Sequence, residues 1–166
     1  MLATVDLPIL IRQEQVLQFE QFNEEIAWQL GSAIYNRAVA QSLPVVIDIR
    51  RFGNPLFFAA RSGVTLDNHD WVKRKVNTVQ RFLRSSYRIG HELALQKLDI
   101  TQRYYLSPSE YTSAGGGFPI IVQNVGVIGS IVVSGLPERQ DHQLIVDTLC
   151  DFLGHERNEF MLSKEE

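Results

Sequence analysis

Four histidines, one cysteine, a carboxylate inside an apolar run, a triple glycine and a stripe of arginines are the residues of this chain equipped for chemistry. The histidines are His69, His91, His142 and His155. None stands with a second ligand at the H-x-x-x-H spacing that puts two imidazoles on one helix face, so no metal centre of that kind is expected. A lone His or Tyr can still contact a ligand from the wall of an apolar slot; His69, at the start of a basic helix, ranks first for that role, with Tyr104 and His91 behind it. An exposed or capping histidine is the commoner fate of such a residue.

Nucleophilic catalysis finds less support. G-x-S-x-G is absent, and Cys150 falls in the middle of an amphipathic helix, where a buried thiol is ordinary core. Asp48, in "VVIDIRR", needs a partner if it is buried, most simply a nearby arginine or a turn N–H, and reads as structural before it reads as a general base. "AGGGFP" resembles a phosphate loop only superficially. Phosphate cradles run from strand into helix, whereas this segment runs from loop into strand. Gly115, Gly116 and Gly117 either let the backbone pass close to a ligand or a neighbouring subunit, or are plainly flexible. Lys75 lies beside Trp71 and Phe82, so its stem can pack on aromatic surface while its ammonium reaches into a pocket.

These residues need elements to hold them. With 166 residues, 45% apolar and 21% charged, the chain is large enough for one domain with a sizeable core and too apolar for a disordered one. A single cysteine excludes an intrachain disulfide and points to a reducing compartment. "MLATVDLPILIRQEQ" lacks a secretory pattern and nowhere does an apolar run approach the ~20 residues that span a bilayer, so the expectation is a soluble, cytoplasmic protein. The net charge of −3 is uneven: residues 50–91 hold nine of the sixteen Lys and Arg and only two acids, Asp67 and Asp70. General affinity for nucleic acid is not expected from such a balance, while a local anion site or a charged assembly surface is.

"RQEQVLQFEQF" (12–22) alternates weakly and is read as a first strand after a short arm. Asn23 caps a helix whose Ile26, Leu30, Ile34 and Ala38 recur every four residues, with Glu24 and Glu25 at the positive end of its dipole. Residues 45–61 are two apolar runs about "RRFGNP", where Gly53 and Asn54 accept positive φ and Pro55 cannot donate: a β-hairpin, apolar enough to be covered on both faces. A long helix is expected from Asp67 as N-cap, with Val72, Val76, Val79, Leu83 and Tyr87 in one stripe, Arg74, Arg81, Arg84 and Arg88 opposite, and Gly90 as the break. A long loop, a second hairpin through Asn124–Gly126, and a helix from Pro137 to Gly154 complete the chain. Hairpin connections this short require antiparallel pairing.

Two blocks, "VVIDIRRFGNPLFFAARSGV" and "GGGFPIIVQNVGVIGSIVVSGLPERQDHQLIV", resemble the hairpin and the G-G-x-P-I…G-x-I-G…V-S-G…Q-D block of the haem-degrading-domain (GlcG–HbpS-like) family. Trp71, Lys75 and "RSSY" look like its intracellular members. The resemblance covers about residues 23–155. It implies a single domain over 1–166, with an arm and first strand over 1–22. It also implies an α+β fold, with a five-stranded antiparallel sheet flanked by helices in a profilin- or PAS-like way, and homo-oligomers. Haem binding is associated with some members, and a single His or Tyr lining an apolar slot, here His69 before Tyr104 and His91, is enough to hold its iron; a haem-degrading activity is not implied by the residues here.

The expected ligand pocket lies between the basic helix, the glycine loop and the first hairpin, formed by Arg50, His69, Lys75, Gly115, Gly116, Gly117 and Phe118, for haem or a small anion. Arg74, Arg81, Arg84 and Arg88 form the expected oligomer surface, meeting acidic surface of another copy. A scaffold that binds other proteins without chemistry is the alternative, and an enzyme acting on a small organic acid or a porphyrin is third. Neither nucleic acid nor membrane is an expected partner.

Overall fold

A computed structural model describes residues 2–164. The elements, in chain order, are α1 (Leu2–Val16), α2 (Glu24–Ala40), β1 (Val46–Arg51), β2 (Asn54–Ala60), α3 (Leu66–Phe82), α4 (Ser86–Gln96), α5 (Ile100–Tyr104), β3 (Gly117–Val122), β4 (Gly126–Ser134) and α6 (Glu138–Leu153). A 3-10 turn at Arg157–Glu159 follows. Both hairpins form as their turn residues dictate, Gly53 and Asn124 adopting positive φ. They join through β1 and β4 into one antiparallel sheet of order β2-β1-β4-β3.

Period-2 alternation then sends alternate residues to opposite faces. Val45, Ile47, Ile49, Phe57, Phe118, Ile120, Ile131 and Val133 meet Leu30, Ile34 and Ala38 of α2 and Ile145 and Leu149 of α6 in the main core. The other face is covered by α3 through a smaller cluster, Val46, Val72, Val76 and Val132. That second face also carries Asp48, Arg50, Ser130 and Ser134, so polar groups line the space where α3 does not seal it. Gly129 leaves the β1 backbone room beside β4: a Cβ there would lie 2.0 Å from the Arg50 carbonyl oxygen.

Four expectations are corrected. The sheet has four strands, not five, because residues 2–16, including the start of the expected first strand, are helical. What remains of a fifth strand is one parallel bridge, Phe19 to Val122. The helix was hidden because its buried stripe, Asp6, Leu10, Gln13 and Glu14, has helical spacing but three polar members. The basic helix is two helices. It ends at Phe82 with Leu83 left-handed, and Ser85 caps α4 by accepting from the Arg88 N–H, so Gly90 lies inside a helix. Its N-cap is Thr65, in a capping box with Asn68, rather than Asp67. Finally, β2 is covered on one face only, Phe58 being 52% exposed.

The polar stripe of α1 is matched by buried partners. Asp6 accepts from Arg139 (2.6 Å) and from the Ser163 N–H (2.8 Å). Gln13 accepts from His142 Nε2 (2.8 Å) and donates to the Phe160 carbonyl (2.8 Å). Glu14 accepts from the Ser85 N–H (2.6 Å) and from Arg88. Burial, with His91 and Arg139 nearby, holds the His142 imidazole down at about 3. The unfolded chain takes up that proton near pH 6.5 and the folded chain does not, so stability is full above 6.5 and drains away as pH falls toward 3. Unfolding free energies from urea titrations should therefore drop between pH 6.5 and 4 by up to about 1.4 kcal/mol per pH unit, and His142→Gln should flatten that slope. An equal slope in the variant would remove His142 from the explanation.

Candidate functional site

The two flanks of α3 open onto two different cavities. Asn68, Trp71 and Lys75 border one, and His69, Val72, Lys73, Val76 and Asn77 border the other. The single pocket expected from sequence is thus divided, with Arg50 and His69 on one side and Lys75 on the other.

The cavity beside the first hairpin has a volume of about 450 Å³ and is completed by Asp48, Arg50, Pro55 and Phe58. Asp48 and Arg50 stand two apart on β1 and so share the α3 face. Arg50 donates to both oxygens of Asp48, Nε to Oδ1 at 2.8 Å and Nη2 to Oδ2 at 2.6 Å. The fork fixes the guanidinium plane, and the Asp48 carboxylate raises the Arg50 pKa further. Among the described residues Asp48 is the only hydrogen-bond partner of Arg50's side chain, so Nη1 remains a free donor. His69 lies against the Phe58 ring, centroids 5.5 Å apart. Lys73 holds Glu110 at 3.0 Å in an exposed pair of the kind that contributes little and is easily exchanged.

The other cavity, about 240 Å³, ends on a buried ion pair. Lys75 Nζ donates to Asp141 Oδ2 and to the Val133 carbonyl, both at 2.9 Å, and the two charged side chains are 3% and 2% exposed. Burial pulls the Lys75 ammonium below the usual lysine range and pushes the Asp141 carboxyl up, their mutual attraction opposing both. The glycine segment passes directly over this pair. A Cβ on Gly116, whose φ is +115°, would sit 2.6 Å from Lys75 Nζ and 2.4 Å from the Val133 oxygen. Gly115 donates to Glu138 (3.2 Å) and Gly117 to Ser86 Oγ (3.0 Å). These glycines make room for an internal charge pair and do not themselves line a cavity mouth.

Other candidates scatter. Phe118 is wholly buried in the main core, away from both cavities. His91 lies under α1 with Nδ1 donating to the Tyr87 carbonyl at 2.9 Å, and Tyr104 packs on Phe82 at 4.7 Å. Arg84 pairs with Glu92 at the surface and Arg88 turns inward to Glu14 and Glu92, so the arginine stripe is not continuous. Arg74 stacks over Trp71 at 3.9 Å and Arg81 stands over Tyr111 at 5.8 Å. Among the described residues no cluster of His, Cys, Asp and Glu could hold a metal ion, and no helix is long and apolar enough to cross a membrane. Sequence reasoning missed Phe58, Lys73, Asn77 and, above all, Asp141. Asp141 sits four residues before buried Ile145 on the inward stripe of α6, and that spacing was the available signal.

An antiparallel sheet between helical layers, with a polar patch on its thinly covered face, defines an α+β domain of a recurring kind. The family model described as haem degrading protein, HbpS-like, matches residues 22–149, and the chain belongs to that family. It is 67% identical to a UPF0303 protein of Pseudomonas entomophila over 152 residues, 92% of this chain and 84% of that one. Among solved structures it is similar to the Ybr137w protein, with a TM-score of 0.85 and 27% identity over 92% of each chain. It shares its fold with PduOC, solved as a complex with haem, at a TM-score of 0.66 and 17% identity, covering 78% of this chain and 93% of that one. The matched region begins after α1.

Proposed function

We propose that the chain binds haem or a closely similar anionic tetrapyrrole in the cleft between α3 and the first hairpin. The observation that carries this reading is the gathering, in one 450 Å³ cavity, of an imidazole, an apolar wall and a fixed guanidinium. That volume lies within the ~300–1,000 Å³ of small-molecule pockets. Phe58, Pro55, Val72 and Val76 supply the wall for a macrocycle, and His69 the axial donor. The Arg50 fork, held by Asp48, offers its remaining N–H groups to a propionate, and Lys73 can leave Glu110 for the other. When bound, haem brings a redox-active iron whose behaviour follows its axial ligand and the polarity around it. The share of the chain is to orient, shield and neutralise.

Haemin added to the purified protein should give a saturable Soret shift. His69→Ala should change the band position and weaken binding by about tenfold or more, near the 1.4 kcal/mol that a tenfold loss represents. No saturable shift, or an unchanged spectrum and affinity in the variant, overturns the assignment.

Self-association belongs to the same proposal. With Arg84 and Arg88 satisfied inside the chain, Arg74 and Arg81 are the stripe members left to meet acidic surface on another copy. Arg74→Glu with Arg81→Glu should lower the mass seen by light scattering, and an unchanged mass excludes that surface.

A further inference from the structure

The smaller cavity shares no lining residue with the cleft proposed for haem. Its far end is built from groups that an ion pair alone does not require. Lys75 has three N–H bonds, two of them used by Asp141 and Val133, and it lines the cavity with the third available. Ser134 also lines it, is 3% exposed, and its hydroxyl has no hydrogen-bond partner among the described residues. Trp71, Leu136 and Ala114 form the apolar part of the wall and Glu138 stands at the edge. Two carboxylates against one ammonium disfavour an anionic ligand, while an N–H and an O–H lining the same cavity suit a neutral oxygen acceptor. About 240 Å³ corresponds to roughly eight water volumes, room for a short molecule only.

We propose that this pocket takes a small aldehyde or ketone, which Lys75 captures as a protonated imine with Asp141 as proton relay. An amine and a base in hydrogen-bond contact, at the end of a desolvated cavity, are the parts that such a lysine needs. Asp141 Oδ2, 2.9 Å away, takes one proton from the ammonium, and the freed nitrogen lone pair forms the C–N bond. The carbonyl oxygen, held by the Ser134 hydroxyl, receives a second nitrogen proton and then the one returned by Asp141, and leaves as water. Ammonium plus carbonyl compound become iminium plus water, with no oxidant or reductant consumed. Burial of both charges lowers the cost of the first transfer, since each partner is already pushed toward its neutral form.

The chain contains four lysines, Lys73, Lys75, Lys97 and Lys164, which makes the test internal. The full protein is treated at neutral pH with propanal and cyanoborohydride, which reduces any imine to a stable amine, and the labelled lysines are located by peptide mass mapping. Lys75, though buried, should be labelled about tenfold faster than exposed Lys97. Asp141→Asn should slow labelling at Lys75 and leave Lys97 unchanged. Labelling of the exposed lysines with Lys75 spared in the wild-type protein overturns the proposal, whatever the variant does.

Discussion

Asp141→Ala should destabilise the protein by about 3–5 kcal/mol, the usual cost of stranding one member of a buried ion pair. The Lys75 ammonium, 97% of its side chain out of solvent, keeps only the Val133 carbonyl, and the Leu136 N–H loses its acceptor at 3.0 Å. Against the ~5–15 kcal/mol total of an ordinary domain, such a loss leaves a marginal fold. The sign of the pH dependence identifies the cause. With its partner gone, folded Lys75 binds its proton more weakly than the unfolded chain does, so the variant should regain stability as pH rises from 7 toward 10. Lys75→Met with Asp141→Leu should recover most of the loss, because an apolar pair of similar volume avoids the desolvation of both charges. Urea unfolding at pH 7 and 9.5 measures all three. A single-variant loss below about 1 kcal/mol would mean that water reaches the pair.

Glu14→Ala should cost a comparable amount, about 3–5 kcal/mol, and release α1. Glu14 is 6% exposed and satisfies two groups at once, the Ser85 N–H at the start of α4 and the Arg88 guanidinium. Burial raises its pKa, and Arg88 and Ser85 pull it back. Arg88 retains Glu92 at 2.8 Å in the variant, which places the expected loss at the lower end of the range. Because α1 packs chiefly on α4 and not on the sheet, the sheet and its hairpins should remain folded. Hydrogen exchange should then rise over residues 2–16 and 85–92 and stay slow over 46–51 and 129–134. Uniform acceleration across the sheet would show that α1 is integral to the core.

Much of the fold was legible because the relevant signals are local. Asn23 does accept from the Ile26 N–H, at 2.9 Å, and the turns at Gly53 and Asn124 do close hairpins. Asp48 did find an arginine two residues away, a pairing set by strand alternation alone. The errors arose where long-range contacts override local pattern. Nothing local to residues 2–16 announces that Asp6 and Glu14 will meet Arg139 and Arg88 inside the protein. Leu83 continues the apolar stripe of α3 in sequence, yet its left-handed backbone ends the helix, and Arg88 in the next one pairs with buried Glu14. The candidate site was half legible for the same reason. Arg50 and His69 line one cavity because the hairpin leads directly into α3, whereas Lys75 and Asp141 are 66 residues apart and meet only through the topology of the sheet.

The most direct test of the ligand reading is a shift map. Backbone amide resonances of the isotope-labelled protein would be followed while a diamagnetic haem analogue, gallium protoporphyrin, is titrated in. The changes should concentrate on residues 48–58 and 69–77 and spare 134–141. Changes centred on 134–141 and Trp71, or a spectrum unmoved at saturating porphyrin, would contradict a haem cleft between α3 and the first hairpin.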